Sequence, residues 1–199
     1  MNYRAILFDF DGVLCNGQYY DKYYLSNYPG VHEWIQENIF GNNELVQKWM
    51  RNQISSIEIN KIISENTGNE FNCLNEIFQE SIRKMSIEIE INELAESLKL
   101  TGRKIGIVTD NMDVFTQITV PNHKLNSLFD VIINSASYGI LKRENCGKLY
   151  DIALAALSTD IKNSLLIDDS ELTINMYKEK GGYGFLYKNF AELKSFLQL

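Results

Sequence analysis

Two aspartates near the start of the chain are separated by a single residue, in the segment Phe8-Asp9-Phe10-Asp11-Gly12. The segment follows a short apolar run over residues 5–8, which is typical of a buried parallel strand. Alternate residues of an extended strand point the same way, so Asp9 and Asp11 are placed side by side. This placement suits a nucleophile beside a proton-transfer group, and carboxylates are also ligands that Mg²⁺ prefers. The alternative is a chance pair of aspartates at the end of a strand.

Polar residues also follow three later apolar runs. They are Thr109 after residues 104–108, Lys142 in the loop after residues 129–133, and the pair Asp168-Asp169 after residues 164–167. Each has a simpler alternative, namely an ordinary strand-end threonine, a solvated loop lysine and a helix N-cap. If the strands are parallel, their carboxyl ends share one edge of a sheet, where such folds bind ligands. The polar groups are therefore expected to meet there.

Short apolar runs alternate with helical patterns over most of the chain. The predicted strands are residues 5–8, 104–108, 129–133, 164–167 and, more weakly, 183–187. The predicted helices between and after them are residues 112–120, 148–157, 171–180 and 190–197. This alternation predicts an α/β fold with a doubly wound, Rossmann-like parallel sheet.

Residues 15–98 interrupt the alternation with helical patterns and no strong strand. Helices are predicted over residues 44–52, 56–66, 75–85 and 92–100, the second opened by a Ser55-x-x-Glu58 capping box. We therefore expect residues 1–14 and 99–199 to form an α/β core and residues 15–98 to form a small helical cap. A cluster of tyrosines, 19, 20, 23 and 24, is interpreted mainly as packing for the interior of this cap.

The four polar features, in this order, resemble the motifs of the haloacid dehalogenase-like hydrolase superfamily, whose nucleophile motif is Asp-x-Asp-Gly. The resemblance covers the whole chain, and the helical insertion lies where the family has a helical cap. It implies that Asp9 attacks phosphorus and that Asp11 transfers protons. It further implies that Thr109 and Lys142 bind the substrate phosphate.

The resemblance also implies a Mg²⁺ cofactor, held by Asp9, the Asp11 carbonyl and the pair Asp168-Asp169. Asp110 directly follows Thr109, and we include it among the predicted phosphate-binding residues, although its carboxylate repels phosphate unless it points away. Dehalogenating members lack an acid at the position of Asp11, so its presence favours phosphoryl transfer.

The lysine position has a rival in this sequence. Lys142 fits the Gly-x-x-Lys spacing of the family in Gly139-Ile140-Leu141-Lys142. The residues after it, Arg143-Glu144-Asn145, lack the proline that often follows in the family. Lys148 is therefore an alternative, and we favour Lys142 for its spacing.

The sequence thus predicts a magnesium-dependent phosphatase that hydrolyses a small phosphomonoester through an aspartyl-phosphate. One alternative is a sugar-phosphate mutase of the same superfamily, for which Arg51, Arg83 and Lys84 offer cations. Another is a non-catalytic binding or regulatory protein on the same fold. The substrate and the oligomeric state stay open.

Charge and cysteine content limit the remaining partners and the compartment. The net charge of −7 and pI near 4.9, without a run of Lys and Arg, disfavour nucleic acid and membrane as partners. Three widely spaced cysteines, with no Cys-x-x-Cys pair, are typical of free thiols in a reducing compartment. We therefore expect a cytoplasmic protein.

Overall fold

The structure, a computed structural model, describes residues 3–198. Residues 1, 2 and 199 of the predicted core lie outside the described residues. The strands are β1 Ala5–Phe8, β2 Lys104–Thr109, β3 Val131–Asn134, β4 Ser164–Asp168 and β5 Tyr183–Leu186. No helix formed by residues 3–198 combines the length and apolar character needed to cross a bilayer.

Eleven α-helices are defined within residues 3–198. Those before β2 are α1 Val31–Ile35, α2 Asn43–Met50, α3 Ser56–Thr67, α4 Phe71–Arg83 and α5 Ile89–Leu100. Those after it are α6 Val120–Asn122, α7 Leu125–Leu128, α8 Ser135–Tyr138, α9 Lys148–Ala156, α10 Glu171–Glu179 and α11 Phe190–Leu197. Two π-helical turns, Gln36–Phe40 and Phe115–Thr119, continue into or out of the neighbouring α-helices.

The five strands form one parallel sheet in the order β3-β2-β1-β4-β5. β1 is central, and its Phe8 is paired with Ile107 of β2 and Ile167 of β4. All four side chains of β1 are buried, as expected for a strand covered on both faces. The predicted doubly wound parallel fold with inserted helices is confirmed.

The two faces of the sheet bury separate apolar clusters. Ile6 and Phe8 belong to a cluster that includes side chains of α5, α11 and the inserted helices. Ala5 and Leu7 belong to a second cluster with side chains of α9 and α10. The two-residue alternation of β1 therefore supplies both cores, and the carboxyl end of the strand is left for polar residues.

The inserted helices have an aromatic interior of their own. The rings of Tyr20 and Phe78 stack with centroids 4.6 Å apart, and Trp49 lies 6.0 Å from Phe78. The buried hydroxyl of Tyr20 donates to Asn60 Oδ1 at 2.8 Å. For Tyr20, the interpretation of the tyrosine cluster as cap packing is confirmed.

The two ends of the insertion meet beside the sheet. The backbone N–H of Glu88 donates to the carbonyl of Leu14 at 2.8 Å, immediately before α5 begins. α5 then buries Ile91, Leu94 and Leu98 in the cluster that covers the sheet. The division at residues 14 and 98 stays a prediction, and this packing favours a cap that ends before α5.

Several predicted boundaries were wrong by a few residues. α4 begins at Phe71 and not at residue 75, because the Glu70 side chain accepts from the N–H groups of Asn72 and Cys73. The third strand begins at Val131, two residues later than predicted. The predicted helix over residues 112–120 is π-helical in part and ends at Asn122.

Candidate active site

Three parallel strands end at the same edge of the sheet and bring the predicted site residues together. Asp9 directly follows β1, Thr109 is the last residue of β2, and Asp168 is the last residue of β4. The Asp9 N–H donates to the Ile167 carbonyl at 2.9 Å, which extends the strand pairing to the site. Asp9, Thr109 and Asp168 are all buried.

Lys142 is the cation at the centre of this cluster. Its ammonium donates to Asp168 Oδ2 at 2.8 Å and makes a short hydrogen bond to Asp9 Oδ2. Burial alone lowers the pKa of a lysine, but Asp9, Tyr150 and Asp168 hold the pKa of Lys142 well above its usual value. Lys148, the predicted rival, is exposed at the first turn of α9.

Three carboxylates form a group that could hold a metal ion. One oxygen from each of Asp9, Asp168 and Asp169 lies within 4.8 Å of the other two. Asp168 Oδ1 accepts from the Ser170 N–H at 2.8 Å, which fixes the orientation of that side chain. The alternative that these aspartates cap α10 is wrong, because the cap is the Ser170 side chain.

Gly12 lets the nucleophile loop pass close to this group. Its φ is +77°, which side chains rarely adopt, and a Cβ there would lie 2.1 Å from Asp169 Oδ2. The glycine is therefore needed both for the turn after Asp11 and for the position of Asp169.

The carboxylates at the site outnumber Lys142, and the pKa values of two of these carboxyl groups are raised. Burial raises the pKa of Asp9 to about 8, although Lys142 opposes the shift and Asp168 adds to it. Burial likewise raises the pKa of Asp11 to about 7. Since carboxylate oxygens are the ligands of Mg²⁺, a surplus of buried negative charge fits a site for that cation.

Asp11 is oriented by a chain of hydrogen bonds that the sequence analysis did not identify. Asn111 Nδ2 donates to Asp11 Oδ2 at 2.9 Å, and the Tyr19 hydroxyl donates to Asn111 Oδ1 at 2.5 Å. The N–H of Met112 also donates to Asn111 Oδ1 at 2.9 Å. Asn111 follows β2 at the same sheet edge, so its position after a strand could have identified it as a site residue. No sequence feature indicated that Tyr19 contacts the site.

Thr109 and Asp110 lie next to the cluster and differ in their hydrogen bonding. The Thr109 hydroxyl is buried and has no hydrogen-bond partner within residues 3–198. Asp110 Oδ1 accepts from the backbone N–H of Lys142 at 2.7 Å. We propose that Asp110 holds the lysine loop; its binding of phosphate stays a prediction.

Several polar contacts join the inserted helices to the site loops. Arg51, at the end of α2, forms an ion pair with Glu144 in the loop that follows Lys142. Ser56, at the start of α3, donates to Asp113 Oδ1, which the Trp49 indole N–H also contacts at 3.3 Å. The inserted helices are therefore held directly over the carboxyl edge of the sheet.

Exchanging the two lysines for methionine is expected to separate their roles. Lys142→Met should lower kcat by about 100-fold or more, because it removes the cation that contacts Asp9 and Asp168. Lys148→Met should leave kcat near the wild-type value, because that side chain is exposed. Steady-state rates of both variants, with circular dichroism to show that both fold, make the comparison. A larger loss for Lys148→Met contradicts the assignment.

Comparison with known proteins adds three findings to this geometry. A family model described as haloacid dehalogenase-like hydrolase matches residues 6–181. No curated protein matches the chain. Among solved structures, a predicted HAD-like family hydrolase from Porphyromonas gingivalis has a TM-score of 0.76 at 16% identity, with 100% of both chains covered.

Two further solved structures share the fold. A HAD family enzyme from Bacteroides thetaiotaomicron, in complex with magnesium and inorganic phosphate, has a TM-score of 0.70 at 18% identity. The match covers 96% of this chain and 98% of that one. L-2-haloacid dehalogenase from Xanthobacter autotrophicus has a TM-score of 0.66 at 16% identity, covering 98% and 83%. At these identities the structures establish a shared fold.

Proposed function

The chain belongs to the haloacid dehalogenase-like hydrolase family, and from this premise we propose that it is a magnesium-dependent phosphatase acting on small phosphomonoesters. One observation carries the proposal. A buried lysine bonded to two aspartates lies beside a third carboxylate and beside a buried threonine hydroxyl that has no partner within residues 3–198. The lysine and the threonine hydroxyl can donate hydrogen bonds to phosphate oxygens, and the carboxylates can supply a nucleophile and hold a cation.

The groups that would hold Mg²⁺ are the carboxylates of Asp9, Asp168 and Asp169 and the backbone carbonyl of Asp11. When bound, the cation offsets negative charge on the phosphate and on the carboxylates that face it. The Bacteroides enzyme crystallised with magnesium and phosphate supports this choice of cofactor and ligand.

The remaining steps belong to side chains of the chain itself. Lys142 and the free hydroxyl of Thr109 bind phosphate oxygens and orient phosphorus toward Asp9. The Asp9 carboxylate attacks phosphorus, forming an aspartyl-phosphate as the bond to the leaving oxygen breaks. Asp11, whose pKa is raised by burial, protonates the leaving oxygen. The resulting Asp11 carboxylate then accepts a proton from the water that hydrolyses the phospho-enzyme.

Dehalogenation is the rival reaction within the family, and two features disfavour it. A departing halide needs no proton, so it would leave Asp11 and the Asn111 side chain that orients it without a role. A carboxylate group suited to a divalent cation would likewise have no use in displacing halide. A catalytically inactive binding protein is disfavoured because the nucleophile, lysine and acidic residues lie together in one cluster.

Phosphate release with and without metal tests the proposal. The protein should release phosphate from an aryl phosphate and from small alkyl phosphates, lose this activity in excess chelator and regain it with Mg²⁺. The physical reason is the surplus of buried carboxylates over cations at the site. A parallel assay for halide release from 2-chloropropionate should stay at background. Full activity in excess chelator, or halide release without phosphate release, contradicts the proposal.

A further inference from the structure

A cavity of about 460 Å³ opens beside Asp11, between the nucleophile loop and the inserted helices. Its volume lies within the range of small-molecule sites, which is roughly 300–1,000 Å³. Asp11 and Gly12 line it, as does Met112, three residues after the end of β2. A group bonded to a phosphate on Asp9 would extend from Asp11 into this cavity.

The lining of this leaving-group cavity is mostly apolar, carries several amide groups and has almost no charge. Asn16, Gln18 and Gln36 contribute amide side chains that can both donate and accept hydrogen bonds. Phe40 and Met50 contribute apolar surface from the inserted helices. Amides beside an aromatic face match the hydroxyl groups and C–H faces of a polyol.

Asp11 is the one charged side chain among the lining residues that the structure describes. Cys15 also lines the cavity, and its thiol is buried. Within residues 3–198, no Lys, Arg or His lies in the lining. An anionic group in this cavity would therefore meet no cationic side chain of the lining and would lie close to Asp11.

The three cations that a mutase could have used are engaged elsewhere. Arg51 is paired with Glu144, and Arg83 and Lys84 both lie within salt-bridge distance of Glu80. Lys84 lines a neighbouring surface cavity that shares Gly17 and Gln18 with the leaving-group cavity, but Lys84 is not among the residues that line the leaving-group cavity itself. A mutase must hold a second phosphate in its intermediate, and the leaving-group cavity offers it no positive partner.

Resting on the proposed phosphatase activity, we propose that the leaving group is an uncharged, hydroxyl-bearing alcohol of monosaccharide size. Substrates with a second anionic group, a carboxylate or another phosphate, are disfavoured. The cavity thus determines specificity through neutral hydrogen-bonding groups and a lining that, among residues 3–198, contains no cationic side chain. Like-charge contacts and unpaired buried charges discriminate more strongly than the gain of a neutral hydrogen bond.

A matched pair of esters directly tests the charge rule, that is, the preference for an uncharged over an anionic leaving group. Galactose 1-phosphate and galacturonic acid 1-phosphate differ only at C6, where a hydroxymethyl group replaces a carboxylate. The value of kcat/KM should be about 10- to 100-fold lower for the acid, because the added charge has no cation to pair with. Galactose 1,6-bisphosphate should be hydrolysed at C1 more slowly than the monophosphate. Equal or faster reaction of either charged ester overturns the proposal.

A pair of variants at one exposed position tests whether the cavity itself sets this preference. Gln36 is exposed and lines the cavity, so substitutions there should not disturb the fold. For each variant, kcat/KM for galacturonic acid 1-phosphate is divided by kcat/KM for galactose 1-phosphate. Gln36→Lys should raise this ratio by about tenfold, because it supplies a cation to the cavity. Gln36→Leu removes the same amide without adding charge and should not raise the ratio. An unchanged ratio in Gln36→Lys counts against the proposal.

Aryl phosphate hydrolysis, measured alongside, separates failure of the specificity rule from failure of the phosphatase proposal. If the aryl ester is not hydrolysed, the phosphatase proposal fails, and binding of the two galactosyl esters is then compared by calorimetry with Mg²⁺ present. Weaker binding of the acid supports the charge rule. Equal or tighter binding of the acid, or no binding of either ester, overturns it.

Discussion

Asp9→Asn is expected to abolish turnover, with a loss of roughly 10⁴-fold or more in kcat. An amide oxygen is a poor nucleophile toward phosphorus, and the change also removes one of three carboxylates that could hold a metal ion. The fold should survive, because Oδ1 of asparagine can still accept from the Phe10 N–H, as Asp9 Oδ1 does at 2.7 Å.

Stability provides the control for this variant. Burial raises the pKa of Asp9 to about 8, so at neutral pH its ionised form destabilises the folded state relative to the unfolded chain. The asparagine side chain of the variant cannot ionise, and Lys142 keeps Asp168 as a partner. The free energy of unfolding without metal should therefore not fall. An active Asp9→Asn protein, or an inactive and unfolded one, contradicts this account.

Asp11→Asn is expected to slow the reaction by about 10²- to 10⁴-fold while leaving Mg²⁺ binding largely intact. The predicted metal contact of Asp11 is its carbonyl, which the substitution keeps. The loss should be smallest for aryl phosphates, whose leaving groups depart without a proton, and largest for alkyl phosphates. Hydrolysis of the phospho-enzyme also needs a base, so phosphorylated Asp9 should accumulate.

Asp151→Asn is a matched control for this exchange, because Asp151 is exposed on α9 and pairs with Lys180 away from the sheet edge. Steady-state rates on aryl and alkyl phosphates, for both variants, give the comparison. Equal loss on both ester types would remove Asp11 as the proton donor. An inactive Asp11→Asn beside an active Asp9→Asn would mean that the two roles are reversed.

The sheet was predictable because its strands are short apolar runs whose ends carry polar residues. β1 and β4 are buried on both faces and show no alternation, which is why a run such as 164–167 indicates a parallel strand. α3 was predictable from its capping box, which the structure contains. In contrast, α1 follows Gly30 at φ 79° with no side-chain cap, so no local signal marked its start.

The site was predictable where chemistry and strand ends coincide. Asp9, Thr109, Asp168 and Asp169 follow from that rule, and Lys142 followed from loop spacing. Tyr19 could not be predicted, because its contact with Asn111 spans 92 residues and depends on how the insertion folds back. The uncharged lining of the leaving-group cavity depends on the same fold, since Gln36 and Met50 reach it from separate helices.

Covalent phosphate on Asp9 is the most direct test of the central claim. Asp11→Asn protein would be mixed with an aryl phosphate and Mg²⁺, quenched in acid, and analysed by intact-protein mass spectrometry and peptide mapping. The account predicts a mass increase of one phosphoryl group, located on the peptide that contains Asp9 and absent from the Asp9→Asn, Asp11→Asn double variant. Turnover without any covalent phosphate, or phosphate on another residue, would contradict it.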